Sequence, residues 1–383
     1  MTLGGVSTRA GNGAHDPFGS PAEQGGRAIE HDLPGAVTAD LADYLAGRRA
    51  ECADIAEEYA DAVDDLTRFV LAGGKRLRPT FAWWGWRAAG GLDDPSAVLR
   101  AVSALELIQA CALVHDDLID DSATRRGEPT VHARWAARHA GAAWTGDPTR
   151  FGAAVAILLG DVALAWADDM LHESGVDPVA LARARPAWQA MRTEVLGGQF
   201  LDVQGHASSD SSPETALRIS RYKTAAYTVE RPLHLGAALA GADADLVAAF
   251  RRFGADIGVA FQLRDDLLGV FGDPAVTGKP AGDDLREGKR TLLLALALQH
   301  AAERGSADAA AEIESAVGAP DLDDEGLARV RGLIVDLGAH DEVEKRITAL
   351  TGSALDALET APITDAARAA LTDLADQATR RQS

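Results

Sequence analysis

Residues 115–130 read HDDLIDDSATRRGEPT, which places four aspartates within six positions and two arginines shortly after them. Adjacent Asp pairs are common in this chain, beginning at 64, 93, 116, 120, 168, 265, 283 and 323, and most suit a solvated helix face or a helix N-terminus. The pairs at 116 and 265 differ because each closes a long apolar run, AVSALELIQACALVH before Asp116 and FRRFGADIGVAFQL shortly before Asp265. Carboxylates that end a buried helix need cationic partners. On a helix Asp116 and Asp120 stand at i,i+4 and Asp117 and Asp120 at i,i+3, so three carboxylates share one edge. Such a set suits Mg²⁺, which takes a few carboxylate oxygens and fills its octahedron with water and phosphate oxygens. Asp265 and Asp266 offer a second acidic edge that could face the first across one cavity.

Basic residues are scarce in a chain of formal charge −21, yet they appear in GGKRLRP (73–79) and in RRG (125–127). A carboxylate-bound metal accounts for one diphosphate. Lys75, Arg78 and Arg126 are suited to grip another by charge-assisted hydrogen bonds. Lys279 in TGKPAGDD and Lys289 in REGKRT follow the second acidic block, on a Gly-containing stretch suited to a loop that closes over phosphates.

The elements that must position these groups are helical. From about Leu41 onward, Ala- and Leu-rich segments recur with helical spacing, while β-branched alternating runs are scarce, which predicts an all-α body. Gly- and Pro-rich punctuation separates roughly ten helices, and no fixed-period repeat is present. Residues 1–34 are rich in Gly, Pro and small polar residues and predict a flexible extension; 35–383 is expected to be one domain. Hydrophobic residues at 47% with charged residues at 25% are enough for a large core. The charge of −21 argues against nucleic acid and disfavours an anionic membrane surface. No segment reads as a signal peptide or an uncharged membrane span, and Cys52 and Cys111 are too few for a disulfide framework. A reducing cytoplasm is therefore the expected compartment.

With these motifs in order, the chain resembles the trans-isoprenyl diphosphate synthases of the polyprenyl synthetase family. The resemblance runs through GGKRLRP (73–79), HDDLIDDSATRRGEPT (115–130), AILLGD (156–161), GGQFLD (197–202), YKTA (222–225), FQLRDDLLGVFGD (261–273) and GKPAGDDLREGKRT (278–291). It implies an isoprenoid-synthase-type helical bundle around a deep central cavity, and a homodimer. It also implies that Asp116, Asp117 and Asp120 bind Mg²⁺ and the allylic diphosphate, with Asp265 and Asp266 as the second metal motif. Arg125, Lys223 and Lys279 would assist that leaving group, and Lys289 belongs to the same loop region. Lys75, Arg78 and Arg126 match positions for isopentenyl diphosphate, Gln109 sits where members place His or Gln, and Thr224 and Gln262 would turn oxygen atoms to the developing carbocation.

The implied reaction ionises an allylic diphosphate, adds isopentenyl diphosphate to the cation and loses a proton, extending an all-trans chain. One departure from the family pattern is Gly269 in DDLLG, where a third Asp is usual; Asp273 is the candidate to compensate. In this family bulky residues just before the first acidic motif stop the chain early. Cys111 and Ala112 are small, so the expected product is geranylgeranyl diphosphate, with a longer chain or a farnesyl product as alternatives. Each further helical turn of about 5.4 Å adds on the order of one isoprene unit, making Ile108 and Leu105 the next stops on this wall. Trp83, Trp84 and Trp86 offer a floor from another helix or are plain core aromatics. Rival readings are a class I terpene cyclase, whose second metal motif usually includes Asn although Asn12 is the only Asn here, and a noncatalytic partner subunit.

Overall fold

The computed structural model describes residues 21–91, 94–273 and 282–380. Seventeen α-helical segments and one π-helical segment account for nearly all of it, more pieces than the ten or so that the punctuation suggested. The all-α expectation stands. The extension expected over 1–34 is corrected in its second part, because α1 spans Pro21–His31 and α2 spans Leu33–Ala53, started by the Asp32 carboxylate accepting from Gly35 N. Residues 1–20 lie outside the described residues.

Asp-Pro pairs start three of the long helices. Asp94, Asp147 and Asp177 cap α5 (Pro95–Ile119), α7 (Pro148–His172) and α8 (Pro178–Ser208), each accepting from backbone N–H groups of the first turn while the Pro fills a position that needs no N–H. Helices α3 (Glu57–Leu71) and α4 (Leu77–Ala88) precede α5, and α6 (Val131–Gly141) lies between α5 and α7. Helix α5 is the axis of the main core, packing on α7, α4 and α2, with Leu105, Leu107 and Val102 fully buried. A two-stranded hairpin, β1 (Thr124–Arg125) with β2 (Glu128–Pro129), follows it. Its turn residues, Arg126 and Gly127, have φ of 55° and 79°, the pairing that a tight hairpin turn demands.

Helix α9 (Pro213–Ile219) runs through the π segment (Ser220–Glu230) into α10 (Arg231–Ala240), and α11 (Ala244–Phe271) packs against that segment. The π segment lies so close to α8 that a Cβ at Gly198 would collide with the Lys223 backbone. Only glycine allows that approach. The short α12 (Asp283–Arg286) precedes a second core built on α13 (Leu292–Glu303), α14 (Ala307–Ala316), α15 (Asp324–Asp336) and α16 (Ala339–Glu359). Helix α17 (Asp365–Thr379) closes a third core against α11.

Two helices, α5 and α7, are long and apolar enough to cross a membrane by length and composition, although each carries charged residues, Arg100 and Glu106 in α5 and Arg150 and Asp161 in α7. Most of that window in α5 is buried inside the bundle, as a core helix requires. Helix α7 buries less of itself and exposes Ile157 and Leu158, while α8 exposes Leu196, Phe200 and Val203.

Candidate active site

The last turn of α5 carries the first acidic motif, and Asp120 N still bonds to Asp116 O at 2.9 Å, so the i,i+4 stacking is realised. Asp116 accepts from Lys223 Nζ at 3.0 Å and from Gln199 Nε2 at 3.1 Å, and Arg125 lies 3.5 Å from its other oxygen. Arg125, aimed by the hairpin, donates its Nε to Asp117 Oδ1 at 2.6 Å. The buried Asp117 Oδ2 has no hydrogen-bond partner among the described residues. Lys223 also donates to Asp202 on α8 at 2.6 Å, a reach made possible by the close approach at Gly198. Lys223 and the half-buried Thr224 lie in the π segment, a helical form that recurs at functional sites.

These contacts set the charge states. Burial pushes Asp117 up to about 6 against the pull of Arg125. Asp120 also rises to about 6, through loss of water and then the Asp116 and Asp202 carboxylates. Burial would raise Asp116 too, but Lys223, Arg125 and Gln199 outweigh it and hold that carboxyl below its ordinary value. Lys223 is shielded from water, yet Asp116 and Asp202 raise it above a normal lysine.

On α11, Asp265 is exposed and Asp266 is buried, accepting from Gln262 Nε2 at 2.6 Å. Burial and the neighbouring Asp284 carboxylate push Asp266 well above the usual carboxylate range. Lys289 lies 3.0 Å from Asp284 and 2.6 Å from Glu287, and its charge acts on both Asp120 and Asp266. The Lys289 charge thus reaches both acidic edges. Lys279 lies outside the described residues. A Cβ added at Gly269 would collide with Asp284 Oδ2, so the Asp284 carboxylate fills the space where a third acidic side chain would begin. Asp273 follows the end of α11, and the carboxylate beside position 269 is that of Asp284.

No three His, Cys, Asp or Glu side chains among the described residues converge closely enough to enclose a metal by themselves. The donor set is nonetheless that of Mg²⁺, which binds through one or two carboxylates and relies on water and substrate phosphate for the rest. The unpartnered Asp117 Oδ2 is an oxygen available to such an ion.

Lys75, Arg78, Gln109 and Arg126 come together around a second, polar cavity of about 340 Å³. Arg126 donates to Gly73 O at 2.9 Å, and burial with the nearby Arg125 and Arg76 charges lowers its pKa, the mark of a cation short of anions. Arg78 stacks 4.0 Å over the Tyr227 ring and donates to Thr228, leaving a buried Nε with no partner among the described residues. Tyr227 OH donates to Gln109 Oε1. The loop is fixed from beneath by Arg76, in the left-handed region at φ 49°, whose buried guanidinium pairs with Glu106 at 2.8 Å.

A third space, apolar and about 150 Å³ in volume, descends from Asp116, Gln199 and Lys223 past Cys111 and Ala112 to Ile108, Leu164 and Arg192. Leu105 does not line it, nor do Trp83, Trp84 and Trp86. Trp83 and Trp86 are buried core aromatics with ring centroids 5.0 Å apart.

The profile of the polyprenyl synthetase family matches residues 60–324, a stretch that holds every residue of all three spaces. The chain belongs to the polyprenyl synthetase family. The geranylgeranyl pyrophosphate synthase of Corynebacterium glutamicum, solved with isoprenyl diphosphate and magnesium, is similar with a TM-score of 0.87 and 52% identity, over 91% of this chain and 98% of that one. A geranylgeranyl diphosphate synthase of Mycobacterium tuberculosis is 35% identical over 286 residues, 70% of this chain and 76% of the relative. A geranylfarnesyl diphosphate synthase of Aeropyrum pernix is 34% identical over 300 residues, 78% of this chain and 86% of the relative. This polyprenyl synthetase is a trans-prenyltransferase acting on isoprenyl diphosphates.

Four residues at or beside the synthetase site had no function assigned from sequence: Gln199, Asp202, Asp284 and Arg192. The first two fall in the GGQFLD block and Asp284 in GKPAGDD, so only their roles were missing. Arg192 lies in no recognised block.

Proposed function

We propose that this chain is a Mg²⁺-dependent geranylgeranyl diphosphate synthase that extends allylic diphosphates with isopentenyl diphosphate and works as a cytoplasmic homodimer. The observation that carries this reading is the apolar space beneath Asp116, which passes the small Cys111 and Ala112 and ends one turn lower at Ile108. A stop at Ala112 matches a farnesyl chain in this family, and one more turn of about 5.4 Å adds on the order of one isoprene unit.

Asp116, Asp117 and Asp120 on one edge, with Asp265 and Asp266 on the other, would hold Mg²⁺, which when bound neutralises the departing diphosphate. Arg125, Lys223, Lys279 and Lys289 donate to that leaving group, and Asp202 and Gln199 keep Lys223 and Asp116 in place. Lys75, Arg78 and Arg126 hold isopentenyl diphosphate, with Gln109 on the wall of the same cavity. The allylic C–O bond breaks with its electron pair going to the diphosphate. The double bond of isopentenyl diphosphate attacks the resulting cation, and a proton leaves. Thr224 and Gln262 turn oxygen atoms toward the cation, and the apolar walls exclude the water that would capture it.

The exposed apolar side chains on α7 and α8 support the homodimer, since a second copy would cover them. Cys52 and Cys111 are both free and buried, which fits a reducing compartment. The test is product analysis of the purified protein with labelled isopentenyl diphosphate and dimethylallyl, geranyl or farnesyl diphosphate, with and without Mg²⁺. A twenty-carbon diphosphate formed only with Mg²⁺ is the expected result. Folded protein that elongates no starter would sink the proposal and favour a noncatalytic partner subunit.

A further inference from the structure

Gln199 bonds to Asp116 and so marks the mouth of the apolar space on the α8 wall. Following α8 back from there, the lining residues are Leu196, Val195 and Arg192. Arg192 is seven residues before Gln199 and Ile108 eight before Asp116, about 10.5 Å and about 12 Å down their helices at 1.5 Å per residue, so the two lie at nearly one level. At that level the hydrocarbon space meets a guanidinium.

The guanidinium is fixed from the other wall. Arg192 NH1 donates to Asp168 Oδ1 on α7 at 2.7 Å, the same oxygen accepts from Trp188 Nε1 at 2.6 Å, and Arg192 lies 5.5 Å from the Trp188 ring centroid. Helices α7 and α8 make little direct backbone contact, so side chains span the gap between them at this point. With side chains 28% and 40% exposed, the Arg192–Asp168 pair contributes little to stability; its effect is geometric. It lays charge across the path of the chain. An isoprene unit growing past this level must either displace the guanidinium from its carboxylate or press apolar carbon against it, and both oppose further extension.

We infer that the Arg192–Asp168 bridge, braced by Trp188, is the floor that sets product length, acting with Ile108 and Leu164. Arg192 is thus a specificity-determining residue on a helix that carries no length motif. The inference deepens the proposed function and rests on it. The same bridge makes Asp168 a positioning residue, acting through Arg192.

The experiment incubates the full-length protein and its variants with Mg²⁺, farnesyl diphosphate and labelled isopentenyl diphosphate, then separates products by chain length. Wild type is expected to stop at twenty carbons. Arg192→Ala, and Arg192→Met as a variant that keeps bulk without charge, are expected to raise the share of twenty-five-carbon and longer products at least about tenfold. Asp168→Asn, which keeps an acceptor for Trp188, is expected to give a smaller rise in the same direction. A merely structural role for Arg192 would lower total turnover or melting temperature without moving the length distribution. Wild type stopping at twenty carbons, with both folded Arg192 variants doing the same, would overturn the floor alone. A wild type that stops elsewhere would overturn the proposed product and the floor with it.

Discussion

Gly269 on α11 and Asp284 on α12 compete for one volume: the carboxylate of the second stands where the side chain of the first would have to be. Restoring an acid at 269 is therefore expected to damage the site. Gly269→Asp must push Asp284 away from Lys289, which it meets at 3.0 Å, and places another carboxylate near the buried Asp266. Overpacking of this kind costs about 1–3 kcal/mol. We expect a lower melting temperature and at least a tenfold loss of kcat/KM, or about 1.4 kcal/mol. Asp284→Ala is expected to cost activity where Asp273→Ala does not; equal losses in both would reject Asp284 as the stand-in.

Lys223 neutralises two carboxylates at once. Lys223→Ala leaves Asp116 and Asp202 without their shared cation, and we expect kcat to fall on the order of 10²-fold or more, the range seen when one stabilising donor is removed from a reacting centre. Steady-state kinetics with farnesyl diphosphate would show it. A change confined to the KM for isopentenyl diphosphate would place Lys223 at the wrong subsite.

The second anion site makes the opposite forecast. Arg78→Ala and Arg126→Ala remove cations from the polar cavity, so the KM for isopentenyl diphosphate should rise by about tenfold or more while the KM for the allylic partner changes little. A rise confined to the allylic KM would reverse the assignment of the two substrates.

Asp117 and Asp120, both pushed up to about 6, tie metal binding to pH. Mg²⁺ requires them ionised, so its affinity should weaken as pH falls through 6, with proton release on binding visible by calorimetry in buffers of different ionisation enthalpy. Stability of the metal-free protein runs the other way. Their folded pKa values lie above the unfolded ones, so the folded state holds more protons between about 4 and 6, and their stabilising contribution is lost as pH rises through that window. Added Mg²⁺ should restore stability above pH 6; a metal-free melting temperature that these groups raise with pH would contradict the assignment.

Ala112 lines the apolar space one turn below Asp116. Ala112→Phe should shorten the main product to fifteen carbons. An unchanged length would show that the chain does not descend along this wall of α5.

Much of this site was legible because charge in an apolar context is conspicuous. Asp116, Asp117 and Asp120 end a long, largely buried helix, and Lys75, Arg78 and Arg126 stand out in an acidic chain. The reading of Asp pairs as helix starts was apt for Asp94 and Asp323, both of which cap helices. It missed Asp168, because nothing local tells a solvated aspartate from one that meets Trp188 and Arg192 across a gap between two helices. The π geometry around Lys223 was equally hidden. It depends on α8 and α11 pressing on the segment, with Gly198 meeting the Lys223 backbone and Gly258 meeting Ala225, and a glycine in a helix announces no partner. The helix at 21–31 went unseen since its Gly pair favours loops; its docking on α5 and α2 overrides that preference.

Lys223 and Lys289 each sit between two carboxylates, Asp116 with Asp202 and Asp284 with Glu287. A diphosphate that arrives with its metal brings both signs of charge together. Each lysine would then exchange a carboxylate for a phosphate oxygen, and Asp116, once freed, would be open to the metal. On the proposed reading the cleft would work as an ion exchanger, swapping partners at nearly constant charge, with the carboxylates returning to the lysines when the diphosphate leaves.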